Sequence, residues 1–293
     1  MILTFGSINA DVIVPVPRLP QPGETVLGGR YELLPGGKGA NQALAARRAG
    51  ARVMLAGAVG RDGFAAVALG SLRDEGVDTH LVRDLDIPTG CAVITVSATG
   101  DNTIAWAPGA NMGVRCGWVP DELLGSETTL VVQLEVPVGE TGVLIRRVHS
   151  RGGRCLLNLA PALPIDLGLL PEIDLLVANE SEAATLSLHP TEIARRLRQG
   201  LIVTRGAAGA SAFFADGRAI PVPALTIQPV DTTGAGDTFI GVLAATLDLG
   251  VGLEAALRRA SAAAGLACLA RGAQTAMPDA AAIDAAIAEL PAG

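Results

Sequence analysis

The stretch PVDTTGAGDTFIGVLAATL, Pro229 to Leu247, runs a bend of small residues straight into a helical pattern. Around Thr233-Gly234-Ala235-Gly236 several backbone N–H groups lack an intrahelical acceptor, and a helix expected from near Asp237 adds its positive dipole end. Together these make a nest for an anion. Asp237, in the first helical turn, directs a carboxylate at whatever fills that nest. A carboxylate beside a phosphate is suited to take a proton from an attacking hydroxyl. The plainer role, an acid stabilising its own helix, explains Asp237 but neither Gly-Ala-Gly nor Asp231-Thr232-Thr233 ahead of it.

A second stretch, LPGGKGANQALAARRAG (Leu34 to Gly50), holds Lys38, the only lysine in the chain. Glycines on both sides let the backbone come close to a ligand, and a helix starts at once. The ammonium either serves as a point charge for that ligand or is a solvated side chain whose backbone does the binding. Other motifs fail. Phe239 occupies the third glycine position of G-x-G-x-x-G, and G-x-x-x-x-G-K-[ST] and G-x-S-x-G are missing. His80, His149 and His189 have no evident nucleophile partner.

The elements that must carry these stretches follow from the apolar pattern. Strands are expected at Ile2–Gly6, Arg52–Ala56, Thr129–Leu134, Arg154–Asn158, Leu175–Ala178 and Leu201–Thr204. Helices are expected between them at Ala40–Ala49, Phe64–Glu75, Glu140–Arg151 and Ser181–Leu186, then at Ala235–Asp248, Leu253–Ala270 and Asp279–Glu289. Continuous apolar strands separated by helices predict an α/β fold whose mostly parallel sheet is covered on both faces, with ligands beyond the strands' carboxyl ends. Residues 10–34 and 91–108 break this rhythm and read as four short antiparallel strands, the second pair turning at Gly100-Asp101. They form either a flap over the site or a pair of surface hairpins. On the second pair, Asn102, Ile104 and Trp106 share a face. Trp106 either closes the pocket over a ligand or packs within the flap. No linker divides the chain, so residues 1–293 are read as one domain.

A net charge of -7 without a basic run, and 3% aromatic residues, argue against nucleic acid as a partner. No apolar run approaches the ~18 residues of a membrane span, and the N-terminus reads as a buried strand, so a cytoplasmic protein is expected. Cys91, Cys116, Cys155 and Cys268 form no C-x-x-C pair and read as small buried hydrophobes of a reducing compartment.

At this point the chain resembles the ribokinase family of sugar and nucleoside kinases. PGGKGANQA (Pro35–Ala43) and DTTGAGDTFIG (Asp231–Gly241) match its two signatures. GSINAD before them, PGAN, QLE, NESE and VTRGAAG between them and RGAQ after them fall in the family's order. The resemblance implies a three-layer α/β/α fold with a small β-sheet lid, and transfer of the γ-phosphoryl of ATP to a sugar hydroxyl with Mg²⁺. It makes Asp237 the base and the amides of Gly234, Ala235 and Gly236 the anion hole. It puts Asn9 and Asp11, at the end of the first strand, in the sugar pocket with Gly37, Lys38, Asn41 and Glu135. It puts Asn179, Thr204, Gly206 and Ser261 on the nucleotide side. Asn179 and Glu182 match an element that organises Mg²⁺ through water, though the same pair is also a helix capping box.

A K⁺ ion is implied beside the anion hole, between the loop at Asp231 and Thr233 and the loop from Arg271 to Ala276. Ala276 and Thr275 depart from the family's frequent Ser and Pro there. The wording of the motifs leans toward D-ribose as substrate, with ribose 5-phosphate as product. Another sugar or a nucleoside is the alternative, and a catalytically silent sugar-binding module is the third reading. A homodimer through the lid is implied as well.

Overall fold

The computed structural model describes residues 1–291. Its strands are β1 (Ile2–Phe5), β2 (Asn9–Val16), β3 (Glu32–Gly36), β4 (Val53–Gly60), β5 (Asp78–Leu85), β6 (Gly90–Ser97), β7 (Asn102–Ala107), β8 (Thr129–Val132), β9 (Arg154–Asn158), β10 (Leu175–Asn179), β11 (Gly200–Thr204), β12 (Ala210–Phe213) and β13 (Ala219–Val222). Its α-helices are α1 (Lys38–Arg48), α2 (Gly63–Asp74), α3 (Val138–Ser150), α4 (Glu180–Ala184), α5 (Pro190–Ala194), α6 (Ala235–Asp248), α7 (Leu253–Ala267), α8 (Ala273–Ala276) and α9 (Ala280–Ala286).

Nine strands form one sheet in the order β13-β12-β11-β10-β9-β8-β1-β4-β5. It is parallel from β5 to β11, and β12 and β13 continue it antiparallel. Strand alternation feeds two separate cores. Ile2, Val131, Leu156 and Val177 pack with α1, α6 and α7. Leu3, Phe5, Leu130, Leu157 and Leu176 pack with α3 and α5 on the other face. Helices on both faces make the three layers. Pattern reading missed β5, whose residues are mostly exposed or half-buried, and the two short antiparallel strands β12 and β13. Cys155 and Cys268 are buried as expected, but Cys91 and Cys116 are only partly so.

The lid is a second sheet in the order β3-β2-β6-β7. The outer pairs are antiparallel, but β2 and β6 run parallel, which corrects the expectation of four antiparallel strands. The connectivity is the reason. The lid strand β2 follows β1 and β6 follows β5, and both β1 and β5 belong to the parallel sheet. The two inner strands therefore enter the lid in the same sense. Asn9 and Asp11 also move: they stand at the start of β2, after a Gly6-Ser7-Ile8 turn, and not at the end of β1. They still share a face, because they are two residues apart on one strand.

Candidate active site

The site is built where α1 crosses the turn between β1 and β2. A Cβ on Gly39 would lie 2.6 Å from the Gly6 and Ser7 backbone, so only glycine lets the first turn of α1 come this close. The Ala40 amide donates to the Ser7 carbonyl at 2.9 Å across that crossing. Glu135, just beyond β8, reaches the same point. Its Oε2 accepts from Ser7 Oγ at 2.5 Å and from the Lys38 amide at 3.2 Å. Gly36 is cramped for a similar reason, since a Cβ there would meet the Asp11 carboxylate at 2.2 Å.

Asp237 sits at the third position of α6 and is buried. The helix spans Ala235–Asp248, the range expected from the apolar pattern, and it starts there because Gly234 takes the left-handed conformation (φ 75°) and turns the chain into it. The Ala235 amide donates to the Thr232 carbonyl at 3.3 Å, which leaves, of the three amides named above, those of Gly234 and Gly236 without an acceptor among the described residues. The Asp237 carboxylate is gripped from α1: Oδ1 accepts from Gln42 Nε2 at 2.9 Å and Oδ2 from Asn41 Nδ2 at 3.0 Å.

Asp11 lies within the field of both Glu135 and Asp237. Burial pushes the Asp11 carboxyl up to about 7, and the negative charges of Glu135 and Asp237 add to the rise. Lys38 answers this charge. The Asp237 carboxylate raises its ammonium pKa against the opposing effect of burial, helped by Glu135 and Glu182. Lys38 is half-buried beside these carboxylates. Asn9 is buried, and its side-chain amide meets that of Asn111 at 2.7 Å. Trp106 lies opposite Ala92, which lies opposite Asp11, so all three share one lid face. Its indole nitrogen comes within 3.2 Å of the Asn9 amide.

On the other side of the α6 N-terminus lies a cavity of about 380 Å³. Thr204, Gly206 and Ser261 line it, and so do Ala235 and Gly236 of the bend. The Ser261 hydroxyl donates to the Pro223 carbonyl, which leaves its oxygen as an acceptor toward the cavity. The first turn of α6 is thus a shared wall. Gly236, whose amide is unpaired, lines the cavity on one side, and the Asp237 carboxylate is held by the polar cluster on the other.

A sequence model described as "pfkB family carbohydrate kinase" matches residues 1–280. The chain belongs to the pfkB family of carbohydrate kinases. Within this family it is 36% identical to a Bacillus subtilis protein named ribokinase over 281 residues, 94% of this chain and 96% of that one. A Thermotoga maritima ribokinase structure superposes with a TM-score of 0.91 at 28% identity, covering 98% of this chain and 99% of the other. An Arabidopsis thaliana ribokinase, solved with ribose and ATP, superposes with a TM-score of 0.88 at 30% identity over 98% of both chains.

The remaining residues singled out from the pfkB signatures divide into two groups. Asn179 and Glu182 form the capping box of α4: Asn179 Oδ1 accepts from the Glu182 amide, and Glu182 Oε2 accepts from the Asn179 amide, both at 2.8 Å. The other Glu182 oxygen stays free, so the cap and a metal-side role are compatible. The loops at 231–233 and 271–276 are tied together, since Asp231 Oδ1 accepts from the Thr233 amide and hydroxyl and Oδ2 from the Gly272 amide. Burial works against ionisation of Asp231, but those donors, with Arg271, outweigh it and hold the carboxyl below its usual range. The Arg271 carbonyl accepts from the Thr275 hydroxyl, and Ala276 closes α8. Sequence reasoning gave no role to Gln42, Gln133, Asn158 or Gln274. Gln42 Nε2 also reaches Asn158 Oδ1 at 3.1 Å, and all four are buried. The available signal was a polar pair, Asn41-Gln42, inside an otherwise Ala/Leu-rich helix.

Proposed function

We propose that this chain is an ATP-dependent sugar kinase that converts D-ribose to ribose 5-phosphate, with Asp237 as the base. The carrying observation is the position of Asp237, held by two amides on the wall between the polar cluster and the cavity. Similarity to proteins named ribokinase, one of them bound to ribose and ATP, supports the choice of substrate.

In this reading Asn9, Asp11, Gly37, Asn41 and Glu135 hold the sugar, with Lys38 beside them. The nucleotide lies along Thr204, Gly206 and Ser261, with its terminal phosphate at the Gly234–Gly236 bend. Asp237 takes the proton from the sugar hydroxyl. The freed oxygen pair attacks the γ-phosphorus, and the bond to the β-phosphate oxygen breaks to release ADP. The unpaired amides of Gly234 and Gly236 and the Lys38 ammonium stabilise the transferred charge. The lid excludes water that would otherwise compete with the sugar.

No group of three metal-ligating side chains occurs among the described residues, so Mg²⁺ fits as an ion carried by the phosphates and their waters, oriented by Glu182 and Asn179. When bound it neutralises phosphate charge. The ionised Asp231 and the paired loops fit a K⁺ ion, with Thr233, Arg271 and Ala276 contributing from the same loops. The chain acts as one domain spanning 1–293 in the cytoplasm. A homodimer through the lid is supported by the apolar groove along Val12, Val14, Tyr31, Leu33 and Phe64, and by the exposed Leu27 and Ile104. No helix among the described residues is long and apolar enough to cross a membrane.

A coupled ADP-release screen over ribose, deoxyribose, fructose, tagatose, adenosine and cytidine tests the proposal. Ribose is expected to give the highest kcat/KM. Turnover only with a nucleoside would replace the substrate, and no turnover with any would restore the silent-module reading.

A further inference from the structure

Each oxygen of the Asp237 carboxylate has its own amide donor, and each donor is held by a glutamine from another element. Gln42 serves Oδ1, and its own Oε1 accepts from Gln133 Nε2 at 2.6 Å. Asn41 serves Oδ2, and its Oδ1 accepts from Gln274 Nε2 at 3.1 Å. Gln274 is buried in α8. Its Oε1 accepts from Ser71 Oγ of α2 at 2.6 Å, and its backbone carbonyl accepts from Arg48 Nη1 at 2.7 Å.

The direction of donation along this second arm is forced. An ionised carboxylate only accepts. Asn41 must therefore turn its NH₂ to Asp237 and its carbonyl to Gln274. Gln274 must turn its NH₂ to Asn41 and its carbonyl to Ser71, whose hydroxyl donates. Reversing one amide sets like groups face to face in a buried place, where unpaired polar atoms are costly.

We propose that Gln274 is a positioning residue: it locks the Asn41 amide in its donating sense and so keeps the Asp237 carboxylate aimed at the acceptor hydroxyl. This rests on the reading of Asp237 as the base of a sugar kinase. Gln274 belongs to the 271–276 loop, whose Gly272 amide also holds Asp231. The arm therefore connects that loop to the base through two side chains.

Two substitutions separate this from a structural role. Gln274→Glu keeps the shape but removes the donor, so Asn41 has to turn its NH₂ to the new carboxylate and its carbonyl against Asp237. Gln274→Met offers neither donor nor acceptor and leaves the Asn41 sense unopposed. For ribose phosphorylation, kcat is expected to fall by up to about 100-fold in Gln274→Glu and clearly less in Gln274→Met. KM for ATP should hold, KM for ribose should change less than kcat, and the two variants should melt at similar temperatures. A crystal structure of Gln274→Glu should show the Asn41–Asp237 contact opened beyond about 3.5 Å. Equal losses in both variants, wild-type kcat in both, or a loss that follows unfolding overturns the proposal. A wild-type enzyme inactive on every sugar defeats the functional reading instead; the crystallographic contact then decides the positioning claim alone.

Discussion

The Asn41 amide and the Asp237 carboxylate, 196 positions apart, meet at 3.0 Å because α1 and α6 touch backbone to backbone. Gly241 makes that approach possible: a Cβ there would sit 2.5 Å from the Gln42 carbonyl oxygen and 2.6 Å from the Ala45 methyl. Four residues separate Gly241 from Asp237, one helical turn along the same face of α6.

Gly241→Ala therefore acts on both stability and catalysis. The added methyl meets backbone, which cannot swing aside, so α6 must move off α1. Overpacking of this kind costs about 1–3 kcal/mol. The same movement draws Asp237 away from Gln42 and Asn41. Denaturant melts are expected to show the loss, and kcat is expected to fall more than KM rises.

Asp237→Asn removes the proposed base with little change in volume. An amide can accept at only one of the two positions, so one of the Gln42 and Asn41 donors also loses its partner. Turnover in an ADP-release assay is expected to fall by about 10²–10⁴-fold, while calorimetric ribose affinity stays nearly intact. Retained turnover would remove Asp237 from its role.

Asp11 predicts a pH dependence of stability. Its carboxyl is raised from an ordinary 3.8 to about 7 by burial, then by Glu135 and Asp237. Between those values the folded state keeps a proton that the unfolded chain has released. Stability therefore falls as pH rises through that window. Asp11→Asn removes the effect. The melting temperature of the variant relative to wild type is expected to climb between pH 5 and pH 8, and a constant difference would contradict the buried-cluster picture.

Lys38 gives a slope of the same sign in a separate, alkaline window. Asp237 raises its pKa, and Glu135 and Glu182 assist. Its stabilising contribution is thus complete below the unfolded lysine value of about 10.5 and is lost as pH rises from there through the raised folded value. Lys38→Met leaves the carboxylates without a cation. The variant is expected to be less stable than wild type at pH 8 and to regain ground as acid protonates Asp11. Its kcat is expected to fall by about 10²-fold or more.

Exchange of K⁺ for Na⁺ tests the paired loops. Turnover is expected to fall because the smaller ion pulls the carbonyl-rich loops out of register with the bend at Gly234. Unchanged turnover in Na⁺ would remove the cation from the proposal.

The parts of this molecule that depend on neighbouring residues were legible in the sequence. Alternation put Ile2 and Leu3 on opposite faces of one strand, and those two residues feed the two cores. Gly234, ahead of a helix with Asp237 in its first turn, announced a bend that feeds the helix, and the left-handed backbone at Gly234 is what makes it. The capping box of Asn179 and Glu182 could be read from a spacing of three. Such features are local, and backbone conformation and side-chain period already specify them.

What tertiary structure decided is whatever needs two distant segments at once. The parallel pairing of β2 with β6 depends on where each strand leaves the main sheet. The service of Asp237 by Gln42, and the reach of Gln274 to Asn41, depend on how closely α1 packs against α6 and α8. A hydrogen bond is lost over a few tenths of an ångström and a reversed amide. Only the packed arrangement of helices supplies that accuracy, so a sequence pattern can single out Asp237 without showing what holds it.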